Sequence, residues 1–234
     1  MQQLAAVWLA ATLSFVFLYF GFAATALLLT NRVLPRLGIG APVDTRPLRD
    51  GQIAREIRRS LISIAIFGCY GLIAFAALQA GIVHLRLDAS AFTIALEAIA
   101  LFAWNEVHFY VIHRLLHTRK LYRHVHRIHH ESVIPTPFST YSFHWIEAVL
   151  LGSVMILAML VHDFSPWSLI SLPVSSLFFN TIGHSNYNVF ASKPNAYSAS
   201  LEHSLHHKRV SGNYGFYLPF LDQIARTTLL RHSR

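Results

Sequence analysis

The chain has 234 residues, enough for one sizeable domain, and 54% of them are hydrophobic while only 13% are charged, against about 25% in soluble domains. This composition favours a protein with several membrane-spanning segments, and the single cysteine, Cys69, excludes an internal disulfide. The net charge of +8 does not indicate a nucleic-acid-binding protein, because the basic residues lie between long apolar runs and form no continuous stripe.

The first 60 residues divide into an apolar run and an arginine-rich loop. Residues 1–30 contain no charged side chain, and a run of this length can cross a hydrocarbon core of about 30 Å. A cleaved signal peptide would have a basic start and a shorter apolar core, so we expect an uncleaved span at about residues 7–30. Residues 31–60 carry seven arginines and three prolines, which predicts a cytoplasmic loop.

Four further apolar runs form two predicted hairpins. Residues 61–83 and 91–110 return the chain to the arginine-rich side, and the shorter residues 145–161 and 168–182 suggest a shallow or tilted second hairpin. The sequence therefore predicts an all-α, integral membrane helical bundle of about five apolar spans, with a cytoplasmic histidine-rich helical cap. Because an even number of crossings separates the histidine groups from the arginine-rich loop, all of them should reach one membrane face.

Histidines recur in three groups, one spaced H-x-x-x-H and two spaced H-x-x-H-H. Residues three and four apart lie on one face of a helix, so each group can aim its imidazoles at one point. Imidazole suits iron, zinc, copper and nickel, and eight imidazoles are too many for one ion and about right for two. The eight are His113, His117, His126, His129, His130, His203, His206 and His207.

The segments HRLLH, HRIHH and HSLHH, in this order and interrupted by an apolar hairpin, resemble the histidine boxes of the fatty acid hydroxylase/sterol desaturase superfamily. The resemblance covers about residues 106–228. Tyr110 and Arg114 flank the first box as an aromatic residue and an arginine do in the family. The NYG stretch at residues 213–215, followed by Asp222, is similar to the family's stretch after the last box.

This resemblance implies that residues 61–234 form a membrane-bound fatty acid hydroxylase-like catalytic domain, preceded by the transmembrane helix and loop of residues 1–60. It implies a centre of two iron ions with His184 as a further ligand, and O₂ as co-substrate. The implied reaction is hydroxylation or desaturation of a C–H position in a membrane lipid, such as a fatty acyl, sterol-like or carotenoid substrate.

The sequence departs from the family pattern at three positions. Asn188 stands where some members have another histidine, Glu106 where many have Asp, and Arg226 where glycine is usual. Metal-bound histidines usually donate their second ring N–H to a carboxylate or carbonyl, and Glu106 and Asp222 are therefore predicted as catalytic carboxylates that orient a ligand. Glu147, at the head of an apolar run, is interpreted as an interfacial carboxylate that pairs with an arginine.

The source of electrons is expected to be a separate protein, because the sequence carries no flavin or nicotinamide fingerprint and no haem-binding domain. A cytochrome- or ferredoxin-type donor could dock on the basic residues near the boxes by charge complementarity. The boxes are expected on the cytoplasmic side of a bacterial inner membrane or of the endoplasmic reticulum.

Two alternatives remain open. A zinc-dependent membrane hydrolase needs three ligands and an open position for water, and the excess of histidines and the absence of H-E-x-x-H weigh against it. A metal transporter should carry polar residues deep in its spans, whereas these histidines are expected at helix ends.

Overall fold

The computed structural model describes residues 1–193 and 196–229, and these residues form a helical protein with one pair of very short strands. A π-helical turn (Leu29–Val33) and a further short turn (Leu34–Arg36) extend the first helix. Short 3₁₀ helices span His126–Glu131 and Pro137–Tyr141. In chain order the other elements are α1 (Gln2–Leu28), β1 (Ala41–Pro42), α2 (Gln52–Gln79), α3 (Ala91–Leu116), α4 (Arg119–His124), α5 (Trp145–Gly152), α6 (Val154–Met159), α7 (Pro166–Gly183), β2 (Tyr187–Asn188), α8 (Ala199–Arg209) and α9 (Phe220–Ile224).

Three helices among the described residues are long and apolar enough to cross a membrane, namely Gln2–Arg36, Gln52–Gln79 and Ala91–Leu116. They confirm the first three predicted spans and, with the shorter helices, the predicted membrane helical bundle. The third helix continues beyond the expected end at residue 110, because the first histidine box is itself helical. His113 is therefore part of α3 and lies in its last turn.

The helices α1 and α2 approach each other closely because small residues line their contact. A side chain at Gly68 would collide with Thr12, and one at Gly71 would lie 2.9 Å from the Ala11 Cβ. The Trp8 indole N–H donates to the Ala65 carbonyl at 3.2 Å. Such small-residue contacts are typical of helix packing in membranes, where van der Waals contact replaces the hydrophobic effect between helices.

The second hairpin packs beside the long helices and is shorter than the first. It consists of α5 and α6 on one side and α7 on the other, and α7 lies against both α1 and α3. Its turn contacts the opposite end of the bundle from the histidines, where the Arg86 N–H donates to the Phe164 carbonyl and the Ser165 N–H to the Glu97 carboxylate. The turn of the second hairpin therefore contacts both the loop before α3, at Arg86, and the second turn of α3, at Glu97.

The loop between α1 and α2 folds onto the histidine-bearing end of the bundle. Ala41 and Pro42 pair antiparallel with β2, and the Asp44 carboxylate accepts from Lys208 at 2.8 Å. Hydrogen bonds from Arg46 and then Lys208 hold the pKa of Asp44 below its ordinary value. The arginine-rich loop and the histidine boxes thus lie at the same end of the bundle, as predicted.

Replacement of Gly40 by alanine tests this docking. Gly40 has φ of +75°, and an added Cβ would lie 2.5 Å from the Asn188 carbonyl oxygen, whereas Gly38 has φ of +66° with no described atom within 4 Å of such a Cβ. We expect Gly38→Ala to cost about 1–2 kcal/mol of unfolding free energy from its left-handed backbone, and Gly40→Ala about 1–3 kcal/mol more from the collision. Thermal unfolding in detergent measures both, and equal losses would contradict the docked loop.

Candidate metal centre

Nine histidines meet at the end of α3 and divide into two groups, within each of which the possible ligand nitrogens lie within 4.8 Å of one another. Eight of the nine are buried and His117 is half-buried. All nine histidines predicted from the sequence are brought together. The five-histidine group consists of His113, His117, His126, His130 and His206, and the four-histidine group consists of His129, His184, His203 and His207.

The two H-x-x-H-H boxes contribute to both groups, in opposite ways. In α8, His203 and His207 belong to the four-histidine group, whereas His206 belongs to the five-histidine group. The second box divides the other way round. His126 and His130 belong to the five-histidine group, whereas His129 belongs to the four-histidine group. The prediction that each box aims at a single point is therefore wrong for these two. Adjacent residues point about 100° apart in an α-helix and about 120° apart in a 3₁₀ helix, so a histidine doublet reaches two separate places in either box.

Carbonyl groups fix the orientation of three of the imidazoles. The Nδ1–H of His113 donates to the Tyr214 carbonyl at 2.8 Å, and that of His206 to the Gly212 carbonyl at 2.7 Å. His184 donates to the carbonyl four residues earlier in α7 at 2.9 Å. Because a carbonyl only accepts, the proton lies on Nδ1 and the Nε2 of each ring keeps its lone pair for a metal.

Glu147 orients a fourth imidazole. Its Oε1 accepts from His126 Nδ1 at 2.8 Å, and both side chains are only 1% exposed. The prediction of an interfacial Glu147 paired with an arginine is wrong, because the first turn of α5 faces the histidines. The sequence signal for a role of Glu147 at the site was a carboxylate at the start of an apolar helix. Nothing in the sequence identified its partner, which lies 21 residues earlier.

The facing nitrogens fit bound metal ions. The Nε2 atoms of His113 and His126 lie 3.1 Å apart, although both rings have their protons on Nδ1, and those of His203 and His184 lie 2.9 Å apart. The lone pairs of His113 and His126 repel each other at this distance unless a cation lies between them. Metal–nitrogen bonds of about 2.1 Å place ligands at right angles roughly 3.0 Å apart. The donor set is therefore suitable for ions held by imidazoles.

The histidines are neutral in this environment. Burial lowers the pKa of His206 and of His184 to about 4. Burial, and then electrostatic repulsion by His206 in its protonated form, lowers the pKa of His117 to about 3. The Nε2 atoms of His117 and His206 are buried and have no hydrogen-bond partner among the described residues. Neutral rings with free nitrogens are the form that binds a metal.

The second box lies outside the long helices and is held in place by α2. Glu56 accepts hydrogen bonds from the Ser132 hydroxyl at 2.7 Å and the Thr136 hydroxyl at 2.5 Å, just after the box. Arg59 donates to the Ile128 carbonyl within the box at 3.2 Å. The N-terminal part of α2 thus fixes the backbone from which the second box projects.

The two carboxylates predicted as catalytic support the loop after α8. Asp222 accepts from the Tyr214 N–H at 2.8 Å and the Gly215 N–H at 2.7 Å, and Glu106 accepts from the Leu218 N–H at 3.2 Å. No hydrogen bond joins either carboxylate to a histidine within the part of the chain that the structure describes. They are positioning residues, because the loop that they hold supplies the carbonyl acceptor for His113, and their catalytic role stays a prediction.

The residues that flank the first box connect it to Asp222. Arg114 donates to the Tyr110 hydroxyl at 3.3 Å, and that hydroxyl lies 3.1 Å from the Thr227 hydroxyl, which donates to Asp222 at 2.6 Å. Arg226, at the position where glycine is usual, adopts φ of +56°. A left-handed backbone of this kind favours glycine. Arg226 therefore keeps the turn but is less suited to its backbone conformation than glycine.

Asn188 does not complete the four-histidine group. Its Oδ1 accepts from the Phe190 N–H at 2.9 Å, and its backbone pairs with Ala41. Its amide therefore closes a local turn. Within the described residues, the second group has one imidazole fewer than the first.

Comparison with known proteins points to the same region. Residues 98–227 match the family described as Fatty acid hydroxylase. Methylsterol monooxygenase 1 of Rattus norvegicus is 27% identical over 131 residues, which covers 53% of this chain and 43% of the relative. A Delta(7)-sterol 5(6)-desaturase of Gibberella zeae is 26% identical over 196 residues, which covers 73% of this chain and 54% of the relative. The chain thus spans about half the length of these relatives, and no solved structure matches it.

Replacement of Glu147 by leucine should weaken metal binding without preventing folding. Loss of the carboxylate frees the ring of His126, and loss of such a partner typically costs 10- to 100-fold in metal affinity. Glu131→Leu is the matched control, because Glu131 also adjoins the second box but pairs with Arg59 at the surface. Fe²⁺ titration against a competing chelator measures the affinities. Equal affinity of both variants and the unmodified protein would contradict the orienting role.

The metal-free protein should lose stability in acid over a definite range. His206, His184 and His117 have folded pKa values of about 4, 4 and 3, against about 6.5 in an unfolded chain. The unfolded chain binds more protons between these values, so stability is complete above about pH 6.5 and falls as the pH drops towards 4. Thermal unfolding against pH measures this, and a midpoint independent of pH over this range would exclude buried neutral imidazoles.

Proposed function

The chain belongs to the fatty acid hydroxylase family, and we propose that it is an O₂-dependent monooxygenase that hydroxylates or desaturates a C–H position of a membrane lipid at a centre of two iron ions. The observation that carries this proposal is the division of nine histidines into two neighbouring groups. Each group offers at least four imidazoles, which is enough to hold one ion.

The choice of iron follows from the reaction. Hydroxylation of a lipid R–H consumes O₂, two electrons and two protons, and yields R–OH and water. Two bound irons supply the redox chemistry that this requires, whereas zinc has no accessible second oxidation state. The family is iron-dependent, and the imidazole donor set is compatible with iron.

The protein's own residues prepare the centre for the metal ions. The loop after α8, held by Asp222 and Glu106, provides carbonyl acceptors for two imidazoles of the five-histidine group. Glu147 provides a carboxylate acceptor for His126. The rings are thus turned towards the ions before these bind, so that little reorganisation accompanies metal binding.

Apolar side chains separate the centre from water and admit hydrocarbon. Besides four of the histidines, Glu147 and Asn180, the small space at the centre is lined by the apolar residues Phe109, Leu116, Phe143 and Leu151. The substrate is proposed to enter sideways from the bilayer, between the helices of the two hairpins. An apolar approach of this kind suits a lipid and keeps bulk water away from the reacting carbon.

The electrons are proposed to come from a cytochrome- or ferredoxin-type protein on the cytoplasmic side. Exposed basic residues lie on the histidine-bearing end of the bundle, among them Arg119, Lys120 and Arg123. They match the positive charge expected on cytoplasmic loops and the surface that an acidic donor would bind. The membrane is proposed to be a bacterial inner membrane or the endoplasmic reticulum.

Replacement of one histidine in each group tests the function. We expect His206→Ala and His203→Ala each to abolish lipid oxidation and to reduce bound iron from about two ions per chain to about one, because each removes a ligand from a different group. His124→Ala is the control, since this exposed histidine belongs to neither group. Lipid profiling of cells and iron analysis of the purified protein give the readouts.

Two results would overturn the proposal. The first is full turnover by a protein without iron or another redox metal. The second is unchanged activity in the absence of O₂, which would favour a hydrolase.

A further inference from the structure

A large apolar cavity lies among the helices next to the metal centre. It encloses about 830 Å³ of empty space, including its open mouth, and its walls come from α1, α2, α3, α7 and the junction of α5 and α6. Phe109, Phe143, Leu151 and Asn180 line both this cavity and the small space that contacts the histidines. The two spaces therefore adjoin, and the cavity lies directly beside the space that contacts the histidines.

The wall of this cavity contains an amide without a partner. Asn105 lies on α3 with only 5% of its surface exposed, and its enclosed Nδ2 makes no hydrogen bond to any residue that the structure describes. Burial of an unpaired amide donor is costly, and nearly all such groups in folded proteins are satisfied. An acceptor on a ligand would remove this cost.

A second polar group lies one turn later on the same face of α3. The Ser153 hydroxyl donates its proton to the Leu150 carbonyl at 2.7 Å, so it must accept from His108 Nε2–H at 3.0 Å. The proton of His108 is therefore on Nε2, and its Nδ1 is an acceptor. Asn105 and His108 thus add one donor and one acceptor to the wall of an otherwise largely apolar cavity.

We propose that Asn105 and His108 bind the hydroxyl group of an alcohol-bearing lipid, and that they hold this hydroxyl away from the carbon that is oxidised. A hydroxyl both accepts and donates, as this pair requires, whereas a carbonyl only accepts. A carboxylate would need a cation, and no lysine or arginine is among the described residues that line the cavity.

The position of the pair adds a constraint on the product, and this part rests on the proposed function. Asn105 and His108 precede His113 by eight and five residues of one continuous helix, which is roughly 12 Å and 7.5 Å along its axis. The oxidised carbon is therefore remote from the hydroxyl group. Desaturation or hydroxylation next to the alcohol carbon does not fit this arrangement.

Binding of matched lipid pairs tests the site without turnover. The 234-residue chain, with and without iron, is titrated in detergent with cholesterol and with cholest-5-ene, which lacks only the hydroxyl group, and likewise with 1-octadecanol and octadecane. We expect the alcohol of at least one pair to bind roughly ten- to a hundredfold more tightly. The pair that shows the preference distinguishes a sterol-like from a linear substrate.

Variants assign the preference to the two residues. Asn105→Leu and His108→Phe should each remove most of the preference for the alcohol and leave hydrocarbon binding and iron content unchanged. Ser175→Ala is the matched control, because this hydroxyl donates to its own helix and does not line the cavity. Thermal unfolding of each variant verifies folding, and His108→Phe keeps the test decisive if Asn105→Leu does not fold.

Three outcomes would overturn the site: equal binding of alcohol and hydrocarbon in both pairs, tighter binding of stearate than of 1-octadecanol, or an unchanged preference in folded forms of the variants. The result is independent of the proposed function. A protein that binds no iron and oxidises no lipid, but retains an Asn105-dependent preference for the alcohol, would support the hydroxyl site while contradicting the monooxygenase.

Discussion

The central constraint on this structure is the close packing of nine imidazoles, eight of them buried, with ring nitrogens that face one another. Rings of this kind are stabilised together when their second nitrogens donate to fixed acceptors and when their facing nitrogens share a cation. The carbonyls of Tyr214 and Gly212 and the carboxylate of Glu147 provide the first of these for His113, His206 and His126. The separation of 2.9–3.3 Å between facing nitrogens matches the second. The remaining architecture provides these acceptors and holds these rings at one end of a membrane bundle.

Several segments that are far apart in the sequence together hold the imidazoles in place. The long helix α3 contributes His113 at its end, α2 fixes the loop of the second box through Glu56 and Arg59, and α8 contributes the third box. Asp222 ties the loop after α8 to the Tyr110 side of α3 through Thr227. The loop between α1 and α2 covers β2 and reaches Lys208 beside the third box. Residues outside the matched region 98–227 therefore also shape the centre.

The sequence predicted which histidines of the three boxes meet, because box spacing and the number of membrane crossings depend on local pattern and composition alone, and the family resemblance added His184. It could not predict how the doublets divide, since the direction of each side chain depends on the packing of three separate segments. The prediction of an arginine partner for Glu147 is wrong for a similar reason, because its partner His126 lies on another element. The pairing of β1 with β2 was also beyond the sequence, because strands of two residues carry no periodic signal. Asn105 in an apolar helix was visible in the sequence, but its lack of a partner appears only when the surrounding helices are in place.

The most direct test of the account is a diffraction or electron-density map of the iron-loaded protein that locates iron by its anomalous scattering. We expect two iron positions per chain. One should lie within the five-histidine group and the other within the four-histidine group. A single iron position, or iron outside both groups, would contradict it.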